Sequence, residues 1–262
     1  MFSIGVFTTV SRGEAGLVPF VLANVAGHPA VTSLVVLHTG TDKPPTFGQL
    51  ADRFPNVREV HKDFGSGLDR AVADGGFDQI AARNHAQRLV EEAKPDWIIR
   101  NDADEILLNA ALDTVAQTGD RYDLITFDYH TLLAGGRHWD APHLNRRVAQ
   151  ETLLDPHLAT WRRELELYDE ACPQTVLTSV NTTRHCNIRA SHIPSFRMKT
   201  VKGLMHLHLH CLLGKANACL RDQGTLLEQD LPEEARLCLR GLGLEGAWDG
   251  RFENRQQLED IT

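Results

Sequence analysis

The apolar positions of this chain fall into short strand-like runs and longer helical stripes that alternate along the sequence. Ser3 to Phe7 alternates and is rich in strand formers, and Thr32 to Leu37 and Val57 to Val60 read as a second and third strand. Between them, Leu17 to Val25 and Phe47 to Phe54 read as helices. They are set off by the turn Thr8 to Gly16 and by His38 to Pro45, with its glycine and paired prolines. The order β-α-β-α-β predicts a mostly parallel central sheet flanked by helices, joined by right-handed crossovers.

A glycine-rich stretch, Leu68 to Gly76, precedes a helix from about Asp78 to Ala93. Ile80, Ala81, Ala86, Leu89 and Val90 give it an apolar stripe, Asp78 a cap and Pro95 a stop. Trp97 to Ile99 is a buried strand, Ala110 to Gln117 a short helix, and Leu124 to Tyr129 a further strand that Thr131 to Leu133 continues. In Val201 to Cys211 strict alternation puts His206, His208 and His210 on one strand face and Met205, Leu207, Leu209 and Cys211 on the other. Leu212 to Arg221 and Leu231 to Leu242 read as amphipathic helices, and the acidic, Gln-rich tail after Trp248 as peripheral. Composition changes beyond Gly135-Gly136, where Arg146, Arg147, Trp161, Arg162 and Arg163 accumulate. The expected organisation is one domain over 1–262, with a nucleotide-binding half at 1–135 and an acceptor-facing half at 136–262.

The length suits one large α/β domain with a substantial core, and 42% apolar with 24% charged residues is ordinary for a soluble protein. A formal charge of -8 argues against sequence-independent binding to nucleic acid, which needs Lys and Arg on the phosphates. It leaves room for a small anion held by a few local cations. The five cysteines, with no Cys-x-x-Cys pair, suit reduced thiols with packing roles in a cytoplasmic protein. The amino terminus lacks a basic leader region, and no run approaches the roughly 20 apolar residues of a membrane span.

Chemistry concentrates where the Trp97 strand runs into Asp102, Asp104 and Glu105. Carboxylates just past the carboxyl end of a central strand stand where open α/β sheets bind ligands. Asp102 and Asp104 flank one residue, so both can face one hard divalent cation; an acidic turn that caps a helix is the other reading. Arg83 and Asn84 lie one helix away, where a guanidinium reaches a diphosphate or neutralises a carboxylate. Thr8 and Arg12 belong to the first strand-to-helix loop, which can offer amides and hydroxyls to a phosphate or simply connect two elements. Asp63 and Asp42, near strand ends, are partners for a base or ribose, or turn aspartates.

This order and spacing resembles nucleotide-sugar glycosyltransferases of the GT-A fold, especially bacterial family 2-like enzymes. Phe7-Thr-Thr-Val-Ser-Arg12 precedes Ala82-Arg-Asn84, Asp102-Ala-Asp104 follows an apolar strand, and a histidine strand comes near the end, ahead of a helix with Lys215. The likeness covers about residues 3 to 130 closely and 196 to 220 loosely. It implies a Rossmann-like GT-A domain that moves a sugar from a nucleotide diphosphate sugar, UDP-type, to a glycan or small-molecule acceptor, using Mn²⁺ or Mg²⁺. By the same resemblance Asp102 faces ribose and metal, Asp104 binds the metal, and one of His206, His208 or His210 is a later ligand. Thr8, Arg12, Arg83 and Asn84 lie along the nucleotide, and Lys199 and Lys202 add positive charge beside the leaving group.

Two departures stand out. The acidic residue that the family places after the second strand is replaced by Leu37-His-Thr-Gly-Thr41, leaving Asp42 or Asp63 to serve the base. For the carboxylate that activates the acceptor hydroxyl, the chain offers Asp169, Glu170 and Asp140. A sugar-nucleotide-forming nucleotidyltransferase and a non-catalytic nucleotide- or glycan-binding module of the same fold are the alternative readings.

Overall fold

The computed structural model describes residues 1–65, 75–118, 124–133, 137–140, 153–154, 159–162, 176–177, 182–183, 188–189, 198–209, 224–225 and 231–244. The first half contains strands β1 (Ile4–Val10), β2 (Val31–Thr39), β3 (Val57–Lys62), β4 (Trp97–Arg100) and β5 (Glu105–Leu107). Its helices are α1 (Val18–Val21), α2 (Ala23–Gly27), α3 (Gln79–Glu91) and α4 (Asn109–Thr118). Then come β6 (Leu124–Leu133), β7 (Arg137–Asp140), β8 (Leu153–Leu154), β9 (Ala159–Arg162), β10 (Val176–Leu177), β11 (Thr182–Thr183), β12 (Ile188–Arg189), β13 (Met198–His208), β14 (Gly224–Thr225) and α5 (Glu233–Gly241).

The main sheet runs β14-β7-β6-β9-β4-β1-β2-β3, with β13 pairing β6 and β5. Its nucleus, β4-β1-β2-β3, is parallel throughout, as expected of an α/β protein, while β9 joins β4 and β6 in antiparallel fashion. Strands from beyond residue 136 therefore complete the sheet begun by the first half. Among the described residues no helix is long and apolar enough to cross a membrane.

Alternation along the parallel strands builds two cores, one on each face. Ile4, Val6, Val10, Leu34, Val36, Trp97 and Ile99 share one cluster with residues of α1, α2, α4 and α5. Phe7, Val35, Leu37 and Ile98 share the other with Ala82, Ala86 and Val90 of α3. Both faces being buried, these strands read as continuous apolar runs, and fully burying one such side chain contributes roughly 1.5–3 kcal/mol. The α3 stripe repeats at a four-residue spacing, and Asp78 caps the helix by accepting from the Ala81 amide at 3.0 Å.

Close packing of α3 on β1 leaves no room beside Gly5. A Cβ there would stand 2.6 Å from Pro95 Cγ and 2.7 Å from Val90 Cγ1. Gly5→Ala is therefore expected to destabilise the fold by about 1–3 kcal/mol, read as a lower urea midpoint at unchanged slope.

The structure corrects several sequence expectations. Phe47 to Phe54 forms successive turns, not a helix. Gly48 stands at φ +92°, outside the right-handed helical region, and Glu59 takes the amides of Gly48, Leu50 and Ala51. Leu17 to Val25 is two short helices, α1 and α2, meeting at Leu22. His38 and Thr39, read as turn residues, extend β2, and Glu105 to Leu107, read as part of the acidic loop and its exit, form a strand. Leu212 to Arg221 and the tail after Trp248 lie outside the described residues.

Candidate functional site

A cleft of about 390 Å³ opens over the carboxyl ends of β1, β2 and β4. It is lined by Thr9, Ser11, Arg12 and Glu14 after or at the end of β1, and by Thr39 and Gly40 from β2. Gly65, Phe77, Gln79 and Arg83 come from the approach to α3 and from α3 itself, and Asp102 and Ala103 from the loop after β4. Its position follows from topology. The chain leaves β1 through α1 and α2 on one face toward β2, and returns from β3 through α3 on the other face to β4, on the far side of β1. Where successive connections depart on opposite faces a crevice is left at the strand ends, and open α/β sheets bind ligands there.

The loop after β4 is held from several directions. The Asn101 amide donates to Phe7 carbonyl oxygen at 3.0 Å, prolonging the β1 pairing. Asn101 Nδ2 donates to the carbonyls of Asp102 (3.1 Å) and Glu105 (2.9 Å), and the Asp102 amide donates to Glu105 Oε2 at 2.9 Å. Glu105 is 1% exposed, so its carboxylate braces the loop from inside. The Leu209 amide donates to Asp104 carbonyl oxygen at 2.8 Å, tying the loop to the end of β13.

Within this frame the two aspartates part. Asp102, with a quarter of its side chain exposed, lines the cleft, whereas Asp104 is buried and is not among the lining residues. Asp102 Oδ1 lies 3.3 Å from Arg100 Nε, and its Oδ2 lies 3.9 Å from Arg83 Nη2. Both guanidiniums are buried, at 1% and 2% side-chain exposure. Asp102 thus sits between two buried guanidiniums, whereas Arg12 and Asp42 form an exposed pair at 3.7 Å, a contact worth little.

Of the sequence-derived candidates, Arg12, Arg83 and Asp102 meet at the cleft. Thr8 is buried in β1, and Asn84 is buried on α3; the side-chain oxygen of Thr8 and the side-chain amide of Asn84 have no hydrogen-bond partner among the described residues. The exposed Asp63 accepts from the Gly65 amide at 2.9 Å, a turn contact just outside the cleft. His206 and His208 lie on β13, His206 paired with Leu107 and His208 with Glu105, so the histidine strand runs alongside the acidic loop. Lys199 and Lys202 are on the same strand, and Asp140 closes β7 opposite His130. His210, Asp169 and Glu170 lie outside the described residues.

Sequence reasoning missed Thr9, Ser11, Thr39, Phe77 and Arg100. A charged residue ending an apolar strand directly before an acidic loop was the available signal for Arg100. Glu14 Oε2 accepts from the Ser11 amide at 3.1 Å, the capping-box contact, and from Ser11 Oγ at 2.7 Å, which together fix the turn bearing Arg12.

Among the described residues, no three His, Cys, Asp or Glu side chains gather closely enough to hold a metal ion. Two carboxylates line the cleft, Asp102 and Glu14, and a cation of the Mg²⁺ type is commonly held by one or two carboxylates together with the phosphates of its ligand. The donor chemistry is therefore compatible with an ion that would enter with a diphosphate, and Asp102 would be the cleft carboxylate to hold it.

No known protein-family profile matches the chain, and no curated protein matches it. Similar solved structures include glycosyltransferases and cytidylyltransferases, all at low identity. Staphylococcus aureus TarS in complex with UDP-GlcNAc is 13% identical, with 99% of this chain matched to 70% of that one at a TM-score of 0.48. Glucosyl-3-phosphoglycerate synthase from Mycobacterium tuberculosis, in complex with Mn²⁺, UDP and phosphoglyceric acid, is 14% identical, with coverage of 85% and 81% and a TM-score of 0.45. A cytidylyltransferase from Leptospira borgpetersenii is 13% identical over 62% of this chain and 61% of its own, at a TM-score of 0.36.

Proposed function

We propose that the protein is a glycosyltransferase that moves a sugar from a nucleoside diphosphate sugar, UDP-type, to a hydroxyl-bearing glycan or small-molecule acceptor, with Mn²⁺ or Mg²⁺ as cofactor. One observation carries the reading. The cleft at the strand ends where the connections diverge brings together Arg12 and Arg83 with the carboxylates of Asp102 and Glu14, the latter held by Ser11. A diphosphate needs both kinds of group. Its oxygens pair with guanidiniums, and the remaining negative charge calls for a cation shared with a carboxylate.

In this reading Arg83 and Arg12 orient the diphosphate, Thr9 offers a hydroxyl to the nucleoside, Thr39, whose hydroxyl donates to the Val10 carbonyl oxygen at 3.1 Å, offers only an acceptor, and Phe77 gives an apolar wall. A bound divalent cation supplies Lewis acidity that stabilises the departing nucleoside diphosphate. Asp102 holds the cation's place in the cleft, braced by Glu105 and Arg100. Lys199 and Lys202 on β13 add positive charge to the same leaving group, and the histidines of that strand supply any later cation ligand. The base that takes the acceptor proton comes from Asp140, Asp169 or Glu170.

The test is a thermal-shift screen of UDP, GDP, CDP and ADP with and without Mn²⁺. Ligands that bind only the folded state raise the melting temperature. The expected result is a rise for one diphosphate, UDP foremost, that grows when Mn²⁺ is added. No shift with any nucleoside diphosphate in either condition would overturn the reading.

A further inference from the structure

Asp102 and Arg83 line the same cleft and are paired with each other, so an incoming phosphate meets a cation that already has an anion beside it. The two arginines around Asp102 are not equivalent. Arg100 stands at the end of β4, its Nε 3.3 Å from the carboxylate, and does not line the cleft. Arg83 reaches in from α3, its Nη2 3.9 Å away, beyond hydrogen-bond length, and does line it. Arg100 is the tighter partner, rooted in the strand that feeds the loop. Arg83 is the looser one and the one a ligand can engage.

We infer that Asp102 is an internal competitor for the diphosphate: its carboxylate occupies Arg83 in the free protein and opposes any phosphate that arrives without a cation. Like charges held close together in a partly buried cleft repel, and the guanidinium cannot serve two anions fully at once. A phosphate accompanied by a divalent cation reverses the sign, because Asp102 then faces positive charge. The cleft therefore discriminates between bare and cation-loaded diphosphate, and Arg100 is the positioning residue that keeps Asp102 on station while Arg83 changes partner.

The inference rests on reading the cleft as a diphosphate site, and its test needs neither nucleotide nor sugar. Inorganic pyrophosphate is titrated calorimetrically into the full chain in metal-depleted buffer of fixed ionic strength. Asp102→Asn is expected to bind it about tenfold more tightly than the wild type, a shift of about 1.4 kcal/mol. Asp102→Ser should rise likewise, keeping the test decisive if the first variant does not fold, and Arg83→Gln should bind about tenfold more weakly. Unchanged or weaker binding in a folded Asp102 variant overturns the inference, as does unchanged binding in Arg83→Gln or no binding by any of them. Pyrophosphate binding of the expected pattern, with no response to any nucleoside diphosphate, would instead sink the glycosyltransferase reading alone.

Discussion

Glu59→Gln is expected to cost about 3–5 kcal/mol of stability, the range for removing one partner of a buried charged network. The Glu59 side chain is 1% exposed and accepts four hydrogen bonds. His38 Nε2 donates to Oε2 at 2.8 Å, Gly48 amide to Oε2 at 2.9 Å, Leu50 amide to Oε1 at 2.9 Å and Ala51 amide to Oε1 at 3.2 Å. A glutamine has one acceptor oxygen, and its amide nitrogen would point a donor at donors. Two amides or an amide and the imidazole would then be left buried and unpaired, each costing about 1–3 kcal/mol. The measurement is urea unfolding of the two proteins, with a marked fall in midpoint expected and a difference below 1 kcal/mol counting against the account.

The same carboxylate sets an acid limit. Burial by itself pushes the Glu59 carboxyl up, but the His38 hydrogen bond and the three backbone amides outweigh it, and the carboxyl is held below its ordinary value. A group whose folded pKa lies below its unfolded value stabilises above the unfolded value and loses that contribution as pH falls through the folded one. Wild-type stability should therefore drop on acidification below roughly pH 4, the ordinary glutamate range. The Glu59→Gln protein should show a flatter profile over that window.

Glu59 also explains what the sequence could and could not reveal. Residues 47–54 carry a plausible helical pattern, yet the amides of 48, 50 and 51 bind a carboxylate from a strand that follows in the chain. Local periodicity does not register a partner supplied by tertiary contact. The parallel nucleus was legible because its strands are buried on both faces and advertise it as unbroken apolar runs. The place of the acidic loop at the end of a buried strand was legible, and in the structure its Asp102 and Ala103 line the cleft there. Which aspartate faces the cleft was not legible. Asp102 and Asp104 are equivalent by spacing, yet in a loop braced by Asn101, Glu105 and the tie from Leu209 the first lines the cleft and the second is buried.

On the proposed reading, that difference makes Asp102 the residue on which turnover depends. Asp102→Asn is expected to lower the cation-dependent rate about 10²–10³-fold, the usual loss when one group that stabilises developing charge is removed. The neutral amide keeps the shape and one oxygen but withdraws the charge by which Asp102 would hold a divalent cation. Because that charge counts most as the leaving group departs, kcat should fall more than KM rises. The same substitution should strengthen metal-free pyrophosphate binding, so one residue moves two measurements in opposite directions. A purely structural role for Asp102 would weaken both together, and a bystander would leave both alone. Steady-state kinetics with Mn²⁺, set beside calorimetry without it, separates these cases on one purified variant. An Asp102→Asn protein with wild-type kcat would remove Asp102 from the reaction and leave the cleft to be read through Arg83 and Arg12 alone.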